Sequence, residues 1–132
     1  MDCIDPCVKL GVICCAAAGL ANINSKMPSE LSGGMKKRVG IARAIVNHSK
    51  YLFCDEPNSG LDPSTSIVID NLIKEITYEY NMTTIVITHD MHSVLSIAEK
   101  VAFLDSQKLS WFGSIDEMKK SEHPPLVEFT TA

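Results

Sequence analysis

Three short segments set reactive side chains at the ends of apolar or glycine-rich runs. Tyr51-Leu52-Phe53-Cys54 is continuously apolar, ends in Asp55 and Glu56, and is followed at once by Pro57. Thr83 to Thr88 is rich in β-branched residues and ends at His89-Asp90. Leu31-Ser32-Gly33-Gly34-Met35 leads into a stretch with helical periodicity. Two adjacent carboxylates on a rigid strand end can divide their work. Asp55 is placed for a hydrated Mg²⁺ riding on a polyphosphate, and Glu56 for orienting and polarising an attacking water. A histidine at a strand end, here His89, can hydrogen-bond a terminal phosphate. Ser32, Gly33 and Gly34 expose unpaired N–H groups at the positive end of a helix, which suits an anion. Each segment alone also has a plainer reading: acids before a turn, a lone histidine beside an N-cap aspartate, a serine N-cap with a glycine turn. His48, His92 and His123 keep that plainer reading, because none sits at such a strand end.

The elements that must position these groups follow from periodicity and caps. Leu10, Ile13, Cys14, Ala17 and Leu20 recur at helical spacing and predict a helix over Val8 to Leu20, then a loop from Asn22 to Glu30 containing Pro28. A second helix starts at Ser32–Gly34 and runs to about Asn47, its charges Lys36, Lys37, Arg38 and Arg43 interleaved with apolar residues. The run Tyr51 to Cys54 predicts a strand buried on both faces. Asp62-Pro63 opens a helix with a stripe of Ile69, Leu72, Ile73 and Ile76. Thr83 to Thr88 is the next strand, and Asp90 caps a helix through Ala98. Val101 to Leu104 and Leu109 to Phe112 are strands joined by a turn at Asp105–Lys108. Ser114 and Glu117 form a capping box for a short helix, and the proline-bearing tail from Ser121 is poorly specified. Strands alternating with helices predict an α/β domain with a mostly parallel sheet and flanking helices. Ligands in such sheets bind at the C-terminal strand ends, where Asp55, Glu56, His89 and Asp90 lie.

Composition narrows the function classes. The 132 residues carry 12 Lys plus Arg against 16 Asp plus Glu, a formal charge of −4, which weighs against a nucleic-acid binder. Five cysteines, four within the first fifteen residues, give neither a pairing framework nor the second Cys or His pair that Cys3 and Cys7 need for zinc. The apolar run Leu10 to Ala21 has the length of a signal-peptide core, but Asp2 and Asp5 precede it, and it is too short to span a bilayer. A reduced, cytoplasmic chain is expected.

Taken in order, these segments resemble the ATP-binding-cassette (ABC) ATPase family from about Ala16 onward. LSGGM is similar to the family signature, YLFCDEP to Walker B with its glutamate, NSGLD to the D-loop and ITHD to the H-loop. The resemblance implies a partial P-loop NTPase domain: residues 1–30 end a helical subdomain, 31–120 hold the signature and catalytic part, and 121–132 form a tail. It implies ATP and Mg²⁺ as cofactors, with Asp55 at the metal, Glu56 as general base or water-orienting residue and His89 at the γ-phosphate. Ser32, Gly33 and Gly34 would face the ATP of a second, head-to-tail ABC ATPase subunit, and Asp62 would meet that subunit. A transmembrane permease is the further partner, which places the chain on the cytoplasmic face of a membrane. LSGGMKKRVGIARAI and HSVLSIAEKVAFL also resemble the ATPases of lipid-asymmetry and mammalian-cell-entry-type lipid transporters.

The 132 residues contain no GxxxxGK[ST] loop, and that loop supplies much of the β/γ-phosphate grip. The expectations are a truncated gene product or gene-model fragment, an exposed apolar sheet edge, and neither tight ATP binding nor hydrolysis by this chain alone. The alternative function is a non-catalytic module that offers its signature segment to another cassette in trans. A chromosome-maintenance ATPase shares the motifs but calls for long coiled coils, and no sustained heptad run occurs here.

Overall fold

The computed structural model describes Leu20, Ile23, residues 25–47 and residues 49–131. The predicted helix over Val8 to Leu20 (its last residue apart), the first four cysteines, the signal-like run and His48 lie outside the described residues. The chain divides into two compact units, one ending at Ile87 and the other beginning at Thr88.

In the first unit, a single 3-10 turn at Pro28–Glu30 is followed by α1 (Gly33–Ile45), β1 (Tyr51–Asp55), α2 (Pro63–Glu79) and β2 (Thr83–Ile87). Ser32 caps α1, its hydroxyl accepting the Met35 N–H at 3.3 Å. Asp62 caps α2 with proline at the first turn, as the Asp-Pro pair predicts. Ile69, Leu72, Ile73 and Ile76 form the buried stripe of α2, and Ile41, Ala42 and Ile45 that of α1. The strands β1 and β2 pair in parallel, from Tyr51 opposite Thr83 to Asp55 opposite Ile87, with α2 as the crossover a parallel pair requires. Thr77 pins the crossover down: its hydroxyl donates to the Ile73 carbonyl at 2.7 Å and lies 2.6 Å from the Thr84 hydroxyl on β2.

That contact fixes which sheet face is covered, and it corrects one expectation. Leu52 and Cys54 are buried on the α2 side, where burial also pushes the Cys54 thiol pKa up. Tyr51 and Phe53 on the opposite side are 60% and 69% exposed, and Ile85 and Ile87 beside them are exposed too. The strand is therefore buried on one face. Its run of apolar residues supplies side chains for two faces, but within the first unit, among the described residues, only one of them is covered.

Two glycines of α1 have opposite surroundings. A Cβ on Gly34 would sit 2.5 Å from the Thr65 Cγ2, so the start of α1 approaches α2 too closely for any side chain. A Cβ on Gly40 would meet nothing within 4 Å. Gly40→Ala should therefore stabilise the protein by about 0.5–1 kcal/mol by removing glycine's backbone entropy. Gly34→Ala should destabilise it by about 1–2 kcal/mol, because overpacking outweighs the propensity gain. Urea midpoints moving in the same direction for both variants would contradict the packing described here.

The second unit comprises α3 (Met91–Ile97), β3 (Lys100–Asp105), β4 (Lys108–Ser114), α4 (Ile115–Lys119) and α5 (Pro124–Thr131). Asp90 caps α3 by accepting the His92 N–H at 2.9 Å. The strands β3 and β4 form an antiparallel hairpin. Its two turn residues, Ser106 and Gln107, have φ of 48° and 63°, the twist a two-residue hairpin favours. The capping box appears as expected: Glu117 donates its N–H to the Ser114 hydroxyl at 3.3 Å, and its carboxylate accepts the Ser114 N–H at 2.7 Å. The tail is more ordered than its prolines suggest. Pro124 and Pro125 sit in the first turn of α5, where a missing N–H costs nothing. Leu126 is buried, and the Phe129 ring packs against Phe103 at a tilt of 53°, with centroids 5.5 Å apart. Among the described residues the strands thus form one parallel and one antiparallel pair in an α/β chain.

Candidate functional site

The acid pair sits where β1 ends. Asp55 is the last strand residue and is exposed, and Glu56 follows with φ 45°, in the left-handed region where a side chain is unfavourable. Three hydrogen bonds hold Glu56 there. Its N–H donates to the Ile87 carbonyl at 2.9 Å, continuing the strand ladder by one bond. Its carbonyl accepts the Ser59 N–H at 3.1 Å and the Lys37 ammonium at 3.1 Å. A residue strained and pinned in this way is a recurrent mark of functional positions.

The loop that follows is anchored beneath. Pro57 and Asn58 are buried, and the Asn58 amide donates to the Asp70 carboxylate on α2 at 2.8 Å. Gly60, at φ 76°, turns the chain toward Asp62. The Asp62 carboxylate accepts from the Ser64 hydroxyl, from the Thr65 hydroxyl at 2.7 Å and from the Thr65 N–H at 3.0 Å. These donors hold its pKa well below the ordinary carboxylate range, so the cap stays charged where a free aspartate would titrate. Asp62 is therefore engaged with the first turn of its own helix.

That helix start lies against the glycine-rich start of α1. A Cβ on Gly33 would come within 3.3 Å of Leu61 Cδ2, and Gly34 abuts Thr65 as described above. Ser32 and Gly33 are exposed at the tip. The Ser32 oxygen accepts from Met35, which leaves its proton available for an external acceptor.

Ser32, Gly33, Gly34, Asp55, Glu56 and Asp62 all belong to the first unit, and its folding brings the signature tip to the loop that follows the acids. His89 belongs to the second unit, is exposed, and precedes the α3 cap, where the Thr88 hydroxyl accepts the Asp90 N–H at 3.0 Å. Among the described residues no group of three or more His, Cys, Asp or Glu could cage a metal. A single exposed carboxylate such as Asp55 suits Mg²⁺, which keeps several waters and shares its remaining ligands with phosphate oxygens.

Lys37 and the Asn58–Asp70 pair were not foreseen as parts of the site. Lys37 lies three and four residues beyond Gly34 and Gly33, a spacing that shares a helix face, so its position was readable. Its bond to a backbone carbonyl was not, because that contact depends on how α1 packs.

Comparison with known proteins fits this geometry. Residues 15–59 match the ABC transporter family. The methionine import ATP-binding protein MetN of Salmonella enteritidis is 43% identical over 106 residues, covering 80% of this chain and 34% of that protein. MetN 1 of Acinetobacter baylyi is 39% identical over 110 residues, covering 83% of this chain and 31% of its own length. The chain thus spans about a third of the length of these curated relatives. The ADP conformation of MJ1267, an ATP-binding cassette of an ABC transporter, shares the fold with a TM-score of 0.84 at 23% identity, over 99% of this chain and 52% of that one. The dimeric post-hydrolysis state of the cassette MJ0796, bound to ADP and Pi, superposes with a TM-score of 0.69 at 30% identity, over 81% of this chain and 46% of that one. Residues 15–59 thus carry the sequence match to the ABC transporter family, and the chain has the fold of an ATP-binding cassette in part.

Proposed function

We propose that this chain acts in the ATP-binding, ATP-hydrolysing subunit of an ABC transporter, on the cytoplasmic face of a membrane. The observation that carries the reading is Glu56, fixed by three hydrogen bonds directly after Asp55 at the end of β1. Asp55 would hold Mg²⁺ through one oxygen, and the ion when bound neutralises charge on the phosphates. Glu56 would accept a hydrogen bond from the attacking water and orient it in line. His89 would donate to the γ-phosphate. Ser32 and the N–H groups of Gly33 and Gly34 would receive the γ-phosphate of ATP carried by a second cassette, and a permease would take up the resulting closure.

The expected partner contact gives the test. With ATP and a full-length cassette, this protein should associate in a nucleotide-dependent way, read by sedimentation velocity. Ser32→Arg should weaken that association by at least roughly tenfold, since a long side chain fills the phosphate's place and loses a direct hydrogen bond. Association that ignores ATP, or that survives Ser32→Arg unchanged, counts against the proposal.

The non-catalytic module shares this contact and differs only in leaving Glu56 idle. On cargo, LSGGMKKRVGIARAI and HSVLSIAEKVAFL favour lipid transporters, whereas the relatives named above import methionine. The lipid reading finds no support among those relatives. The energy-coupling role is the same with either cargo, because other chains recognise it.

A further inference from the structure

We propose that Lys37 is a positioning residue for Glu56, tying the phosphate-facing helix to the peptide group of the catalytic acid; this rests on the function proposed above. The Lys37 ammonium donates to the Glu56 carbonyl at 3.1 Å across 19 residues of sequence, in a partly buried setting. Two further bonds at Glu56, from the Ser59 N–H and to the Ile87 carbonyl, are backbone to backbone. Lys37 thus contributes a side chain to the clamp, and it comes from a different element. A left-handed peptide at a non-glycine residue returns to the ordinary region unless its neighbours resist, and a charged donor on the carbonyl is among the stronger means of resisting.

The tie also links two functions within one chain. Lys37 stands one helical turn beyond Gly34, so it moves with the tip that meets the second cassette's ATP. Glu56 serves the nucleotide held by its own cassette. Seating of phosphate at Ser32–Gly34 therefore bears on the geometry of Glu56 through one rigid turn of α1 and one hydrogen bond. Lys36, the adjacent cation, is exposed, and the bond to the Glu56 carbonyl comes from position 37.

Two measurements test the tie. In the protein itself, Lys37→Met keeps the aliphatic stem and removes the donor. Amide hydrogen exchange at Glu56 and Ser59 should then accelerate roughly tenfold, the scale of one lost charged hydrogen bond. Exchange at Ile69 and Ile73 should stay as in the wild type. In the assembled transporter, Lys37→Met should lower kcat roughly tenfold with KM for MgATP unchanged. Lys37→Arg should restore kcat, and Lys36→Met should have no effect. Unchanged exchange at Glu56 and Ser59 overturns the tie, whatever the turnover. So does an Arg variant that behaves like Met, or a loss expressed in KM with kcat intact. Turnover indifferent to Glu56→Gln instead sinks the proposed function, and the exchange measurement then judges the tie alone.

Discussion

Glu56→Gln is expected to reduce ATP turnover of the assembled transporter by roughly 10²–10⁴-fold, the range for loss of a positioned general base. Gln matches the size of Glu and leaves the backbone untouched. The ladder bond to Ile87 and the bonds to Ser59 and Lys37 involve main-chain atoms of residue 56 and should persist. What disappears is the carboxylate's capacity to accept and hold the water's proton. Association driven by ATP should therefore remain, or become longer-lived because hydrolysis no longer ends it. Phosphate release under single-turnover conditions separates chemistry from product dissociation. A turnover rate within a few-fold of the wild type would remove Glu56 from the reaction and favour the trans-acting module.

How far the sequence foretold this arrangement depends on whether the information was local. Ser32, Asp62, Asp90 and Ser114 were readable as N-caps because each cap bonds within three residues. The stripe of α2 was readable for the same reason, since 3.6-residue periodicity is written along one segment. The burial of β1 was not. A run such as Tyr51–Cys54 states that both faces are apolar but not which neighbours cover them, and here Tyr51 and Phe53 remain exposed. The helix α5 is not legible in the proline-bearing tail from Ser121, which the sequence specifies poorly, yet prolines in a first turn are compatible with helix.

The site shows the same division. Asp55, Glu56 and the Ser32–Gly34 tip follow from residue type and strand-end or helix-end position. The left-handed φ of Glu56, the Lys37 bond and the Asn58–Asp70 anchor are contacts between elements distant in sequence. They arise only once α1, α2 and β1 pack together. Gly34 joins the two levels. The sequence offers its N–H to an anion at the helix start, and in the fold its missing side chain also leaves room for Thr65.

Ile69→Ala should carry the largest stability cost of the changes considered, about 2–5 kcal/mol, the range for truncating a buried isoleucine. Ile69 is 0% exposed on α2, with Ile73 and Ile76 at 2% each continuing the same stripe. The described core of the first unit is small, so neighbouring side chains have little freedom to collapse into the space left behind. A loss of that size is a large fraction of the roughly 5–15 kcal/mol that holds a typical domain. The urea midpoint should fall with little change in slope, the signature of altered stability rather than an altered unfolded state. Ile67→Ala is the matched control, because Ile67 lies two residues away on the same helix and is 60% exposed; its midpoint should scarcely move. If Ile69→Ala fails to fold, Ile69→Val should still show a loss of about 0.5–1.5 kcal/mol. Equal effects at positions 67 and 69 would mean that α2 does not present this stripe to the core. The rim geometry would then lose its support, because α2 carries Asp62, Thr65 and Asp70, which fix the loop after Glu56 and the place of the α1 tip.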